Sequence, residues 1–217
     1  MTLPDDVIVY PAHGAGSACG KNMSKETVST IGNQKQFNYA LRANMTEAEF
    51  VKEVTEGLLP PPAYFGMNVA MNKKGYDSFD EVLQHGMKAL SVAEFEAAAE
   101  ATDALILDTR NDSAFAKGFI PQSVNIGLEG DFAPWVGAMI VDVKQPILLV
   151  CDGDSYKDAI TRLSRVGFDH VIGYLEGGFE SWLNAGKPVD TVERIGATEF
   201  AGMLDVKTDT VFDIRRE

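Results

Sequence analysis

The sequence predicts an α/β protein in which a parallel β-sheet between about residues 90 and 190 carries helices on both faces. Three observations lead there. The runs "ALILD", "PILLVC" and "HVIGYL" are apolar without alternating, as strands buried on both faces should be. Between them lie segments of helical spacing, with Ala159, Ile160, Leu163 and Val166 on one face of the clearest. Helix and strand also alternate along this stretch, the order that a parallel sheet demands.

The elements follow in order. "VIVYP" reads as a strand, followed by a glycine-rich loop and two helices, and together they occupy residues 1–62. Thr46 to Glu49 is a capping box with Met45 and Phe50 as its hydrophobic staple. Pro60, Pro61 and Pro62 close this segment, because three prolines cannot continue a helix. Residues 63–89, beginning "AYFGMNVAMNKKGYDSFDEVLQH", are too apolar for a free linker and read as a packed connector. The α/β segment, residues 90–190, opens on a helix capped by Ser91 and Glu94 and stapled by Leu90 and Phe95. Its strand "PILLV" delivers Cys151 to the C-terminal edge of the sheet, where α/β folds place their ligand crevices.

The end of the chain repeats the start of that segment. "LSVAEFEAAAEATDALILDTRND" and "IGATEFAGMLDVKTDTVFDIRRE" match at Glu94 and Glu199, Phe95 and Phe200, Asp108 and Asp213, and Arg110 and Arg215, all at one offset without a gap. Ile195 and Phe200 restate the staple around Gly196. Residues 195–217 are therefore expected to begin a second domain of the same kind, and the chain is expected to be a fragment of a longer protein.

Composition bounds the function. The 217 residues are 45% hydrophobic and 24% charged, enough to bury a sizeable core. No run approaches the ~18 continuous apolar residues of a membrane span, and "MTLPDDVIVYP" lacks the basic start of a signal peptide, so a cytoplasmic location is expected. A net charge of −13 argues against nucleic acid and anionic membranes as partners, since both would be repelled. Self-association is left open. Cys19 and Cys151 lie in separate segments and read as two free thiols, with a single disulfide as the other reading.

"LDTRNDSAFAKGFIPQSVNI", "PILLVCDGDSYKDAITRLSRVGF" and "VIGYLEGGFESWLNAGKPV" together resemble a rhodanese domain from end to end, over about half the chain. The resemblance implies transfer of a sulfane sulfur through a cysteine persulfide, with Cys151 in the position of the catalytic nucleophile. That chemistry needs a thiolate held by backbone N–H groups and a nearby cation. The loop departs from this: Asp152, Asp154 and Asp158 surround Cys151 and only Lys157 answers them, and neighbouring negative charge raises a thiol's pKa. The family's usual Gly-Arg is absent, and Phe119 stands where the family has histidine. The expectation is a non-catalytic domain whose Cys151 is a buried strand-end thiol, with a catalytic Cys151 as the alternative. A Cys-x5-Arg phosphatase loop is set aside, because Lys157 lacks the bidentate grip of arginine.

"VIVYPAHGAGSACGKNMSKETVSTIGNQKQFNYAL" resembles the last strand and following helix of a metallo-β-lactamase-fold domain of the αββα type. The resemblance makes His13 a metal-site histidine of the longer protein, at a second position that dioxygenases of this kind leave empty. Gly14, Gly16 and Cys19 become candidate substrate-binding residues, the glycines because they admit close backbone approach. The order of segments resembles fusions of a persulfide dioxygenase with a non-catalytic and then a catalytic rhodanese domain. Such enzymes imply Fe2+ held by two histidines and a carboxylate, and a low-molecular-weight thiol persulfide of glutathione or coenzyme A type as substrate. The upstream His-x-His-x-Asp-His run is missing, and His13, His85 and His170 are scattered, so the chain alone is expected to be inactive and to hold no metal. The alternative is a glyoxalase-II-type metallo-hydrolase, with zinc, fused to a rhodanese-like binding module without chemistry.

Overall fold

The computed structural model describes residues 2–11, 25–42, 44–57, 64–203 and 210–212. The chain divides into two compact units, Met1–Pro60 and Pro61–Glu217.

In the first unit, β1 (Ile8–Val9) pairs antiparallel with β2 (Ser29–Thr30), Ile8 opposite Thr30. The strand expected from "VIVYP" is thus two residues long, and its partner was not legible. Thr30 ends β2 and at the same time caps α1 (Ile31–Phe37), its hydroxyl accepting from the Asn33 amide at 3.2 Å, so the ladder stops where the helix begins. A 3-10 turn, Tyr39–Leu41, leads on to α2 (Glu47–Thr55). Here the capping box is present in both directions: the Thr46 hydroxyl accepts from the Glu49 amide and the Glu49 carboxylate accepts from the Thr46 amide at 2.8 Å.

The second unit begins with α3 (Phe65–Lys74) and α4 (Phe79–Gly86). There follow β3 (Ala89–Leu90), α5 (Val92–Thr102), β4 (Leu105–Asp108), α6 (Asp112–Lys117), β5 (Val124–Asn125) and α7 (Phe132–Met139). Then come β6 (Ile147–Val150), α8 (Tyr156–Ser164), β7 (Val171–Leu175), α9 (Gly178–Asn184) and α10 (Ala197–Met203). The five strands form one parallel sheet in the order β3-β7-β6-β4-β5.

Strand β6 shows why "PILLVC" does not alternate. Ile147, Leu149 and Cys151 face a core built with Val82 of α4, Phe132 and Val136 of α7, and Ala159, Ile160 and Leu163 of α8. Leu148 and Val150 face the other core, with Leu90, Phe95 of α5 and Trp182 of α9. All four strand residues are fully buried; each such side chain contributes about 1.5–3 kcal/mol of hydrophobic transfer. The connector helix α4 thereby contributes to the same core as the sheet, and it has its own capping box, Ser78 with Glu81. Leu90 and Phe95, the expected staple of α5, are both buried, and the Ser91–Glu94 box is present.

Strand β7 carries a bulge against β6: Ile147 pairs with Val171 but Leu148 pairs with Gly173. A Cβ on Gly173 would lie 2.8 Å from the Lys88 carbonyl oxygen and from Leu90 Cδ1, so glycine lets β3 close on β7. Helix α10, in the second copy of the repeat, buries none of its residues, and Phe200 is 40% exposed. Asp213 and Arg215 lie outside the described residues. Among the described residues no helix is long and apolar enough to cross a membrane.

Candidate functional site

Parallel pairing of β4 and β6 sets Asp108 beside Val150, so the next residues of the two strands, Thr109 and Cys151, also come side by side. The Thr109 hydroxyl donates to Cys151 Sγ at 3.1 Å and has the Val150 carbonyl oxygen as a second acceptor at 3.3 Å. Cys151 is 3% exposed. The chain then turns tightly, the Ser155 amide and hydroxyl both donating to the Asp152 carbonyl oxygen, with Gly153 in the left-handed region at φ +52°. From the other side comes the turn after β7. Gly178, at φ +62°, lies so close that a Cβ there would be 2.6 Å from the Cys151 carbonyl oxygen. Glycine alone fits this contact.

The Asp-x-Arg motif at the end of β4 is a buried clamp. Arg110 Nε donates to both Asp108 carboxylate oxygens at 3.0 Å, and Nη2 reaches Oδ2 at 2.6 Å and the Gly118 carbonyl oxygen at 2.9 Å. The guanidinium also lies 4.2 Å from the centre of the Phe179 ring. One side chain thus joins the end of β4, the turn before Phe119 and the start of α9. Asn125, which the sequence did not single out, donates to the Asp108 and Arg110 carbonyl oxygens at 3.0 and 2.9 Å. Its signal was faint, an asparagine between Val124 and Ile126. Phe119 stacks on Phe115 at 4.1 Å and exchanges two backbone hydrogen bonds with Asp190, so it is part of the framework.

Burial pushes the Cys151 thiol from its ordinary 9.0 up to about 12. The negative charges of Asp108 and Asp152 add to this, while the hydroxyls of Thr109 and Ser155 act the other way. The expected direction stands, but the expected cause needs correction. The sequence places Asp154 and Asp158 around the sulfur; in the fold both are exposed, and Asp158 faces Arg162 at 3.7 Å. Lys157 lies over the Tyr156 ring, 5.6 Å from its centre, and Tyr156 in turn stacks on Tyr174 at 3.8 Å. The start of α8 turns its charges to water and leaves the sulfur in the core. A cavity of about 680 Å³ opens near Asp103 and Gln145, and one of about 480 Å³ near Asn111 and Trp135; Cys151 is in the wall of neither.

His13, Gly14, Gly16 and Cys19 lie outside the described residues. Among the described residues no three of His, Cys, Asp and Glu come together in a group that could hold a metal. His85 lies in the last turn of α4 and His170 precedes β7.

The rhodanese-like domain family matches residues 91–185, the stretch that holds β4 to β7, Cys151 and the Gly177–Gly178 turn. Residues 91–185 are a rhodanese-like domain. Over 80% of its length the chain is also similar to a metallo-beta-lactamase from Staphylococcus aureus subsp. aureus COL, 28% identical with a TM-score of 0.57. It spans 46% of that protein's length. The Rhodanese_3 like domain of an Anabaena sp. protein matches 43% of the chain over 98% of its own length, at 23% identity and a TM-score of 0.38. A polysulfide-sulfur transferase homodimer from Wolinella succinogenes matches 62% of the chain over 96% of its own length, at 18% identity and a TM-score of 0.41.

Proposed function

We propose that this chain is part of a sulfur-metabolism enzyme in which a metallo-β-lactamase-fold domain oxidises a low-molecular-weight thiol persulfide and the rhodanese-like domain of residues 91–185 is chemically silent. The observation that carries the second half is Cys151 itself: it stands where a sulfurtransferase keeps its nucleophile, yet it is 3% exposed and its thiol is pushed up to about 12. A thiol with such a pKa is protonated at neutral pH, and the thiolate is the species that attacks. Support for the first half is the likeness to the Staphylococcus aureus metallo-beta-lactamase, which extends over 80% of the chain and so includes more than the first unit.

The persulfide carrier is of glutathione or coenzyme A type, and the metal of the longer protein is iron. The described residues offer no donor set for iron or zinc, so no step of that chemistry is assigned to them. Within residues 91–185 the Asp108–Arg110 clamp and the close approach of Gly178 to the Cys151 carbonyl oxygen hold the surroundings of Cys151 together.

A second reading shares the silent domain. A thioester hydrolase of glyoxalase-II type, carrying zinc, would use residues 91–185 as a binding module, and the sealed thiol suits it equally. Oxygen uptake on glutathione persulfide by the longer protein separates the two. Uptake with bound iron, undiminished in Cys151→Ala, is the expected result. Zinc with thioester hydrolysis and no uptake would favour the hydrolase, and loss of sulfur transfer from thiosulfate in Cys151→Ala would overturn the silent domain.

A further inference from the structure

Helix α7 reads "FAPWVGAM", with no charged or hydrogen-bonding side chain apart from the indole of Trp135. A helix that is apolar all round is normally buried all round. This one buries Phe132, Val136 and Gly137 and leaves the opposite face open: Trp135 is 59% exposed, Met139 52%, and Val141 just beyond the helix 86%. One groove runs past Trp135 and Met139, a second opens beyond the end of the helix, and Met139 lines both. The carboxylates of Glu129 and Asp131 line one of them, and those of Glu100, Asp103 and Asp142 the other. These five are exposed and form no ion pair among the described residues, whereas Asp112, also in the first groove, is answered by Arg194 at 3.0 Å. No lysine or arginine lines either groove.

We propose that the outer face of α7 docks a basic amphipathic segment of a partner protein, its apolar side chains on Trp135 and Met139 and its lysines or arginines reaching the carboxylates on both sides. The charge selects this occupant. A second copy of the chain meeting the first by a two-fold axis would set acidic rims against each other, and like charges across an interface are costly. Anionic lipid and nucleic acid are repelled for the same reason. A partner with cations flanking an apolar stripe gains both from burying Trp135, the residue type that most often anchors an interface, and from long-range attraction. Cys151 lines neither groove, and the site is independent of the sulfur chemistry proposed above.

The probe is a synthetic helical peptide of leucine and lysine with leucines at i, i+3, i+4 and i+7, titrated into the full 217-residue chain. Its counterpart with glutamate for every lysine is the control. Binding is expected with a blue shift of Trp135 emission, to weaken about tenfold between low and physiological salt, and to be lost with the glutamate peptide. By calorimetry Trp135→Ser and Glu129→Lys should each weaken it about tenfold, with unchanged circular dichroism because both positions are exposed. The proposal is overturned if the lysine peptide binds no tighter than about 1 mM, if Trp135→Ser leaves its affinity unchanged, or if the glutamate peptide binds as well. A dimer in sedimentation that Trp135→Ser abolishes, or Trp135-dependent binding to phosphatidylserine vesicles, would equally overturn it, by naming a different occupant.

Discussion

At Cys151 the reactivity of the domain is decided by burial, and the consequence can be measured in two ways. Iodoacetamide should label Cys151 slowly at pH 7, and denaturation should raise the rate to that of an ordinary thiol; rapid labelling of the folded chain would contradict the closed geometry. The thiol's pKa in the folded state, about 12, lies above its ordinary 9.0. The folded state therefore holds the proton more tightly, and the stability this contributes is present in full below pH 9 and lost as pH rises from 9 towards 12. Denaturant midpoints of the wild type and Cys151→Ala should run parallel up to about pH 9 and converge above it. Arg110 makes a sharper case. Its guanidinium is 7% exposed and its partner Asp108 wholly buried, so Arg110→Met leaves an unpaired buried carboxylate and should cost about 3–5 kcal/mol in urea unfolding. The same two residues were visible in the sequence as a strand-end motif, but nothing in the sequence said that arginine turns back on the aspartate two positions earlier and also reaches Gly118.

Among the elements, the α5 start and the turn after β7 show two different kinds of legibility. Capping is local, since Ser91 and Glu94 are three residues apart and their bonds need no tertiary partner; Ser91→Ala should cost about 1 kcal/mol. The Gly177–Gly178 turn is different. Its glycines could be read as a turn, but the reason for Gly178 is a carbonyl contributed by Cys151, just past the end of β6. Gly178→Ala combines a left-handed backbone with that contact and should destabilise by roughly 2–4 kcal/mol, measured by denaturant unfolding, while Gly186→Ala, at φ +68° with open space around it, should cost only the backbone part. Short strands were the least legible elements: β5 and β3 have two residues each, too few for a period to show. In β7 the bulge at Gly173 moves an extra residue into the strand, which no alternation rule anticipates.

For the whole molecule, a charge of −13 makes self-repulsion a general load on the folded state. Raising sodium chloride from low to physiological ionic strength should lift the melting temperature by a few degrees, and a fall would point to attractive ion pairs dominating instead. The sequence by itself determined the class of fold, the covering of the sheet on both faces, the places of Cys151 and of the Asp-x-Arg motif at strand ends, and two of the helix caps. These follow from hydrophobic runs, spacing and local hydrogen bonding, all of which are properties of neighbouring residues. Only the tertiary structure decided that Cys151 is sealed, because exposure depends on what Thr109, the turn at Ser155 and the carbonyl contact of Gly178 bring from distant parts of the chain. It likewise decided that Asp154 and Asp158 face water, since a charge on a short loop acts on a buried sulfur only if the backbone aims it inward, and the turn before α8 leaves Asp154 exposed while the first turn of α8 leaves Asp158 exposed.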